Sequence, residues 1–363
     1  QLTKGSYDYE VIHPDHYDAK GTVNVGTSAM SVNVKMNINP IAMKPEENGN
    51  IQMMLTGPSC SISVNSPTAD YEIDWGDGMT ENPSGTGSKS YPHTYGDNGL
   101  YQVEIRNCGD VTSCMASTSC LVAYWSIGGS KVSSISFSGC SKLIYFGKDM
   151  FKNDMNRTSV SYILSNCTSL TSVDLTPLSG LVNVTDAYRM LYDCGNLTSV
   201  DLTPLSGWVN VTNASSLFEY CGNLTSVDLT PLSGWVNVTN TANFLSNCTS
   251  LTSVDLTPLS GWVNVTDAYG MLYDCGNLTS VDLTPLSYWT KMTRNTILIL
   301  GDSALSFITV LSTTPFPLSS GALTNGNSCP IYVPDEAVET YKTATNWSAY
   351  ASRIKPISEK TES

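Results

Sequence analysis

One aspartate recurs in every copy of a repeated octamer, Ser-Val-Asp-Leu-Thr-Pro-Leu-Ser. The copies lie 27 residues apart, and their aspartates are Asp174, Asp201, Asp228, Asp255 and Asp282. If the copies stack in register, like charges lie about 5 Å apart, which costs stability unless solvent or cations screen them. The column predicts an acidic strip on a concave face that binds calcium or a basic or hydroxyl-rich ligand. The alternative is a set of solvated carboxylates that only keep this face wet.

A tryptophan column follows the same 27-residue frame, at Trp208, Trp235, Trp262 and Trp289. Exposed aromatic rings can stack on sugar rings, so Trp208, Trp235 and Trp262 are candidate contacts for a glycan. Leu181 occupies the same frame one copy earlier, which indicates a packing position in the core instead.

The tripeptide Asn-Val-Thr also recurs once in each unit, and it has the form of an N-glycosylation acceptor. Its asparagines are Asn183, Asn210, Asn237 and Asn264. In a eukaryotic secreted chain these asparagines are predicted to carry glycans. Alternatively, asparagine and threonine are turn and cap residues of the repeat, and the acceptor sites arise only as a by-product.

Catalytic motifs are missing from the sequence. Its histidines are His13, His16 and His93, and Pro14 breaks any helix that would align the first two as metal ligands. The sequence has no nucleophile elbow, no phosphate-binding loop and no Cys-x-x-Cys pair. It therefore predicts a protein that is not an enzyme and has no cofactor beyond the calcium considered above.

Cysteines keep the same period and mark the units of the repeat. They are Cys140, Cys167, Cys194, Cys221, Cys248 and Cys275, with Cys329 two periods further on. Each unit reads Cys-x-x-Leu-x-x-Val-x-Leu, which predicts a short strand with one buried face, ended by a proline such as Pro231. The next segment, for example 213–220, opens with a helix-capping residue and predicts one or two helical turns on the convex side. Stacked units share one core, in which the thiols form a buried column.

These units resemble the BspA-like leucine-rich repeats of surface proteins from gut bacteria and some protists. The matching runs are Asn-Val-Thr-Asn and Leu-Phe-x-x-Cys-x-x-Leu-Thr-Ser-Val-Asp-Leu. The resemblance implies a leucine-rich-repeat solenoid over 124–333, with adhesion or binding as its use. One degenerate unit keeps the frame with Leu305, Ile308 and Val310.

The last residues, 334–363, predict a cap on this array followed by a tail. Pro334 and the two acidic residues after it predict the start of a helix, because acids stabilise the positive helix end. Tyr341 and Trp347 are expected to cover the last unit, whose apolar side would otherwise be exposed.

Residues 50–123 have a different pattern. They contain Trp75-Gly76-Asp77-Gly78, then His93-x-Tyr95 and Gly99-x-Tyr101-x-Val103. This is similar to the PKD family of immunoglobulin-like β-sandwiches, and the resemblance implies an extracellular spacer or binding module. Alternating residues at 61–64 and 101–105 predict half-buried strands. Asp74 and Asp77 predict either a cation site or hydrogen bonds within their own turn.

Four cysteines lie outside the repeat frame. In an extracellular chain a disulfide among them is expected, although the sequence does not give the pairing: Cys60, Cys108, Cys114 and Cys120.

Residues 1–49 alternate at 22–25 and 31–38, which predicts strands. These strands either complete a first small β-domain or form an arm that adds to the sheet of a neighbouring molecule.

The composition argues against some classes of function. Only 14% of residues are charged and the net charge is −14, which argues against binding to nucleic acid or to an anionic membrane. The sequence has no apolar run of about 18 residues that would insert into a membrane. We therefore predict a mainly β protein with short helices, at the cell surface or outside the cell, that binds a glycan or protein. The alternative is a structural subunit of an extracellular filament or phage appendage, which binds copies of itself through its N-terminal segment.

Overall fold

The protein is mainly β with short helices, as the sequence predicts. The computed structural model describes the backbone of 5–11 and 19–25 and all atoms of 49–68, 70–83, 85–133, 135–293, 304–323 and 329–360. Within those ranges, no helix is both long enough and apolar enough to cross a membrane.

The N-terminal strands form a sheet of their own. Strand β1, Gly5–Val11, pairs antiparallel with β2, Ala19–Val25. The predicted strand at 22–25 lies inside β2 and is confirmed. The predicted strand at 31–38 lies outside the described residues, as do His13 and His16.

Two further sheets are formed by nine short strands. These are β3 (Ile51–Thr56), β4 (Ser59–Ser66), β5 (Glu72–Asp74), β6 (Thr80–Glu81), β7 (Gly87–Thr94), β8 (Leu100–Arg106), β9 (Ser113–Ala116), β10 (Leu121–Ser126) and β11 (Tyr145–Phe146). One sheet has the order β11-β10-β3-β8-β5-β6, and the other has the order β7-β4-β9.

The two sheets share one core. The predicted strands at 61–64 and 101–105 are confirmed as parts of β4 and β8. The hydroxyl of Tyr124 on β10 donates to the carbonyl of Cys114 on β9 at 3.1 Å, which links the sheets through buried atoms. Strand β10 runs past residue 123 and pairs in parallel with β11, so the ladder crosses the predicted boundary between 50–123 and 124–333.

Successive units of the repeat stack in parallel and in register. Single parallel bridges join residues 27 positions apart, and they link Ser159, Asp186, Asn213, Asn240 and Asp267. These bridges do not lie in the Val-x-Leu segment where the sequence predicts a strand.

The predicted strand is a regular strand only in the last copy, where β12 (Ser280–Asp282) pairs with β13 (Phe307–Thr309). In all five copies the extended stretch is short, because the next leucine already leaves the β-region, and the last copy differs only in lying beside the extended strand β13. Leu229, for example, has φ −89° and ψ −2°, and a 3₁₀-helix over Thr230–Gly234 follows it. The equivalent 3₁₀-helices are Thr176–Leu178, Thr203–Leu205, Thr257–Gly261 and Thr284–Tyr288.

The segment predicted to form helical turns has a different conformation, and that prediction is wrong. In 186–193, the equivalent of 213–220 one unit earlier, Arg189 and Asp193 have positive φ angles, 53° and 54°, which an α-helix does not allow. Alternate N–H groups therefore point to the next unit: that of Ala187 donates to the carbonyl of Asn213 at 2.9 Å. The other N–H groups close turns within the segment, as that of Met190 does with the carbonyl of Ala187 at 3.2 Å, so the segment turns on itself and also holds neighbouring units together.

The repeated cysteines form the buried column that their spacing predicts. All six are completely buried: Cys140, Cys167, Cys194, Cys221, Cys248 and Cys275. From Cys167 onward each thiol also donates to a buried backbone carbonyl of the preceding unit, as Cys221 does to Leu191 at 3.2 Å. Burial raises the pKa of the Cys221 thiol well above its ordinary value, so it remains a protonated donor.

The parallel ladder continues beyond the predicted end of the array. Strand β13 pairs with β14 (Ile331–Val333), which pairs with β15 (Ile354–Pro356). The degenerate unit thus belongs to the stack, as predicted, and Leu305, Ile308 and Val310 are buried.

A helix begins where the sequence predicts one. A 3₁₀-turn over Asp335–Ala337 leads into α1, Val338–Thr343. Tyr341 and Trp347 are buried with their ring centroids 4.8 Å apart, and the Trp347 indole N–H donates to the carbonyl of Phe316 at 2.9 Å. The two rings cover the apolar interior at this end of the stack.

Candidate binding groove

A ladder of threonines forms the floor of a groove along the repeat. The N–H of Thr212 donates to the carbonyl of Thr185 at 2.8 Å, and its hydroxyl donates to the same carbonyl at 3.1 Å. The same pair of bonds joins Thr239 to Thr212 and Thr266 to Thr239. Because backbone and side chain bind one acceptor, each hydroxyl has a fixed position and keeps its oxygen lone pairs for other partners.

A ladder of asparagines runs beside the threonines. The Asn237 amide nitrogen donates to the carbonyl of Val209, and that of Asn264 donates to Val236, both at 3.0 Å. Since these bonds fix the nitrogen, the amide oxygen is the acceptor that remains for a ligand. In the last copy Lys291 replaces the asparagine, and its ammonium donates to the Asn264 oxygen at 2.6 Å.

The two ladders line one groove with a volume of about 840 Å³. The lining side chains are Asn156, Thr158, Asn183, Thr185, Asn210, Thr212, Asn237, Thr239, Asn264, Thr266 and Lys291. Val209 and Val236, which come directly before two of the asparagines, are about half exposed. The groove therefore offers hydroxyl and amide groups at regular intervals, with a single cation at one end.

The sequence analysis identified four of these asparagines only as glycosylation acceptors. Asn210, Asn237 and Asn264 use the amide nitrogen, the atom to which a glycan is attached, in hydrogen bonds to the preceding unit. Glycosylation would replace the second N–H of each amide and fill the groove, and it stays a prediction. The signal for the groove was the constant spacing of Asn and Thr within the repeat.

The aspartate column is exposed, and its carboxylates stabilise turns. In each copy the carboxylate accepts a hydrogen bond from the N–H two residues later, as Asp228 does from Thr230 at 2.9 Å. The hydroxyl and N–H of Thr203 lower the pKa of Asp201, and Thr230 does the same for Asp228. Among the described residues, no group of three or more His, Cys, Asp or Glu side chains is placed to hold a metal ion.

The tryptophans are buried in the core, as the alternative interpretation of their column had it, and their rings are not exposed for stacking on a sugar. Trp208, Trp235 and Trp262 are 0% exposed and stack at centroid distances of 5.9 and 6.2 Å. Each indole N–H donates to a buried leucine carbonyl of the preceding unit, at 3.1 Å for Trp235 and Leu205. A large apolar ring gains most from the core once its single donor has a partner there.

The Trp-Gly-Asp-Gly turn is closed by its own side chains, as one of the two predictions had it. The N–H of Gly76 donates to Asp74, and that of Met79 to Asp77, both at 3.0 Å. Asp77 also lies 2.8 Å from His93, and Asp74 pairs with Arg106. Protein groups therefore occupy both carboxylates, which leaves little capacity for a bound cation.

The four cysteines outside the repeat frame are free thiols in the structure. Cys60 and Cys120 are neighbours that share a hydrogen bond. Burial and this bond raise the pKa of Cys60 to about 12. Cys108 and Cys114 are also buried.

One polar cluster was missed by the sequence analysis. The Arg189 guanidinium lies over the ring of Tyr192 at 4.5 Å and over that of Tyr188 at 5.1 Å. The Arg189 Nε and one carboxylate oxygen of Glu219 are buried without a hydrogen-bond partner. Both residues are unique in their repeat frame, where other units have small or uncharged side chains, so periodicity could not reveal them.

No family model matches the chain, and no curated protein matches it. Fold and site define a mainly β protein whose 27-residue units stack in parallel and carry one polar groove. Its function is therefore inferred from this geometry.

Proposed function

We propose that the chain is an extracellular or cell-surface binding or adhesion protein and not an enzyme. In this proposal residues 124–333 form a leucine-rich-repeat solenoid of the BspA-like type. Residues 50–123 form a PKD-like sandwich that spaces the solenoid from its attachment point. The parallel bonding between successive units supports the first assignment, and the two sheets that share one core support the second.

The groove is the observation that carries the proposal. Its volume of about 840 Å³ is in the range of ligand sites in proteins, which bind through a few well-placed polar groups. Its side chains are held by hydrogen bonds between units, so a ligand meets groups that are already ordered. Preorganised groups raise affinity because less conformational entropy is lost on binding.

The charge of the chain supports the partner class. A net charge of −14 and a groove with one cation suit a glycan or protein and disfavour nucleic acid. Fold alone does not define a ligand, so the groove itself must be tested.

The test measures binding of the full chain to printed glycans and to purified extracellular proteins. The variant Asn237→Arg fills the middle of the groove with a long cationic side chain. Ser226→Arg is the matched control, because Ser226 is exposed in the same unit and does not line the groove.

We expect binding that falls at least about tenfold in Asn237→Arg and is retained in Ser226→Arg. Thermal unfolding of both variants checks that the fold is intact. The proposal is wrong if no glycan or protein binds, or if the two variants bind equally well.

A second candidate is a structural subunit of a filament or phage appendage. The observation that favours it is the N-terminal sheet, in which β1 and β2 pair with each other and with no other described strand. Electron microscopy and light scattering of the full chain, and of a variant without residues 1–49, separate the candidates. Ordered polymers that form only from the full chain favour the subunit, and monomers of both favour the binding protein.

A further inference from the structure

We infer that the groove binds a linear, neutral, hydroxyl-rich glycan, with about one sugar placed at each repeat unit. This inference rests on the proposed binding function and names its ligand class. It follows from three properties of the groove: the hydrogen-bonding roles of its side chains, its charge and its spacing.

The hydrogen-bonding roles match sugar hydroxyls. Within the groove, the threonine hydroxyl and one amide N–H of asparagine are already used as donors toward the preceding unit, as in Thr239 and Asn237. What faces a ligand is a row of acceptor oxygens together with the second amide N–H of each asparagine. A hydroxyl donates and accepts at once, so a sugar chain can satisfy both kinds of group in every unit.

The charge of the groove selects a neutral chain. Of the 11 lining side chains, Lys291 alone is charged, and it lies in the last unit. A polyanion would therefore meet one cation in a protein of net charge −14. A polycation would lose its hydration and gain no carboxylate among these lining residues, although buried charges need such partners.

The spacing of the groove separates a glycan from an extended peptide. Backbone bonds join Thr185, Thr212 and Thr239, so neighbouring units lie about 4.7–4.9 Å apart at the floor of the groove. An extended peptide presents equivalent groups every two residues, which is roughly 6.4–6.8 Å, and loses register after one or two units. One pyranose ring in a linear chain advances by about one unit, so its hydroxyls can stay in register.

The experiment is calorimetric titration of the full chain with neutral linear oligosaccharides of increasing length. Short β-linked glucose, mannose and xylose oligomers are the probes. We expect affinity for the best series to rise roughly three- to tenfold with each added sugar, because each sugar adds one or two net hydrogen bonds. The rise should stop at about six sugars, the number of units that line the groove.

Three variants locate the binding site, one of them a control. Asn237→Arg, in the middle, should abolish the gain from longer chains, while Ser226→Arg should keep it. Asn156→Ala, at the first unit, should lower affinity only for the longest oligomers. Unchanged thermal unfolding in all three variants excludes misfolding as the cause.

Each other result has a defined meaning. Groove-dependent binding to a protein but to no glycan overturns this inference and leaves the proposed function standing. Glycan binding that does not depend on length, or that Asn237→Arg leaves intact, overturns the groove as the glycan site. If neither glycans nor proteins bind, the proposed function fails as well.

Discussion

The paired sheets over 51–126 and the repeat units over 135–293 satisfy their polar groups in two different ways. In the sheets, many of the bonds join two side chains: Tyr71 bonds to Tyr91 at 2.8 Å, and Arg106 pairs with Glu72 at 2.7 Å. In the repeats, the thiol, indole and hydroxyl donors mostly bind backbone carbonyls of the preceding unit.

This difference explains why one region can repeat and the other cannot. A backbone carbonyl is present in every unit whatever its side chains, so a donor at one position finds its acceptor in every copy. A side-chain partner, in contrast, is present only where the sequence places the right residue type for that one contact. Arg189 and Glu219, which are charged and occur only once in their repeat frames, are the two residues among those described whose buried side-chain atoms lack a hydrogen-bond partner.

The largest expected effect concerns the shared core of the repeat. Trp235→Ala removes the indole between Trp208 and Trp262, and we expect unfolding to become easier by about 3–5 kcal/mol. Guanidinium unfolding measures the loss. Val236→Ala is the control, because Val236 is about half exposed and should cost no more than about 0.5 kcal/mol. Equal losses would mean that the tryptophan stack does not hold the units together.

The second-largest expected loss of stability concerns the close packing of Gly76 against Gln102 in the sheets. A Cβ at Gly76 would lie 2.2 Å from the carbonyl oxygen of Gln102, a backbone atom that cannot move aside easily. Gly76→Ala should therefore lower the free energy of unfolding more than Gly78→Ala does. A Cβ at Gly78 meets no atom within 4 Å, so that variant should lose only the about 1–2 kcal/mol that a left-handed backbone costs a residue with a Cβ. Urea unfolding of both variants makes the comparison, and similar losses would contradict the close approach.

A smaller, pH-dependent effect is expected at Asp77. Burial acts to raise the pKa of this carboxyl, but hydrogen bonds from His93 and the Met79 N–H outweigh it, so the pKa is lowered. The stabilisation is thus present above the unfolded pKa of about 3.9 and is lost as pH falls through the lower folded value.

Asp77→Asn should accordingly cost on the order of 1–2 kcal/mol at pH 7. Below about pH 4 the difference from the natural chain should shrink. Urea unfolding across this pH range tests the sign, and a difference that grows on acidification would refute it.

The smallest effect concerns the aspartate column. Asp228→Asn keeps the oxygen that accepts the Thr230 N–H, so the melting temperature should change little. Calcium or a chelator should also leave the melting temperature of the natural chain unchanged. A calcium-dependent rise that is absent in the variant would instead restore the column as a cation site.

Much of the buried interior could be predicted from the sequence. The cysteine column, the capping residues Tyr341 and Trp347, and the continuation through Leu305 and Ile308 are all buried as expected. These residues are apolar or weakly polar and recur with a fixed period or close an open end. Burial of such side chains follows from the free energy of their transfer out of water, which depends on the residue type and not on its neighbours.

The local conformation and the candidate site could not be predicted in the same way. Strands were expected at Val-x-Leu and helical turns at 213–220, but the units meet at single bridges and at turns with left-handed residues. Side-chain types do not define which way a peptide N–H points when the nearest acceptor lies in another unit.

The sequence by itself determined the period of the repeat, the columns that face the core and the mainly β class. Tertiary structure alone decided that the aspartates cap turns, and that asparagines and threonines line a groove. The physical reason is that apolar burial, including that of the tryptophans, is a property of each residue, whereas these two outcomes depend on backbone carbonyls and N–H groups. Their positions are fixed only when one unit stacks on the next.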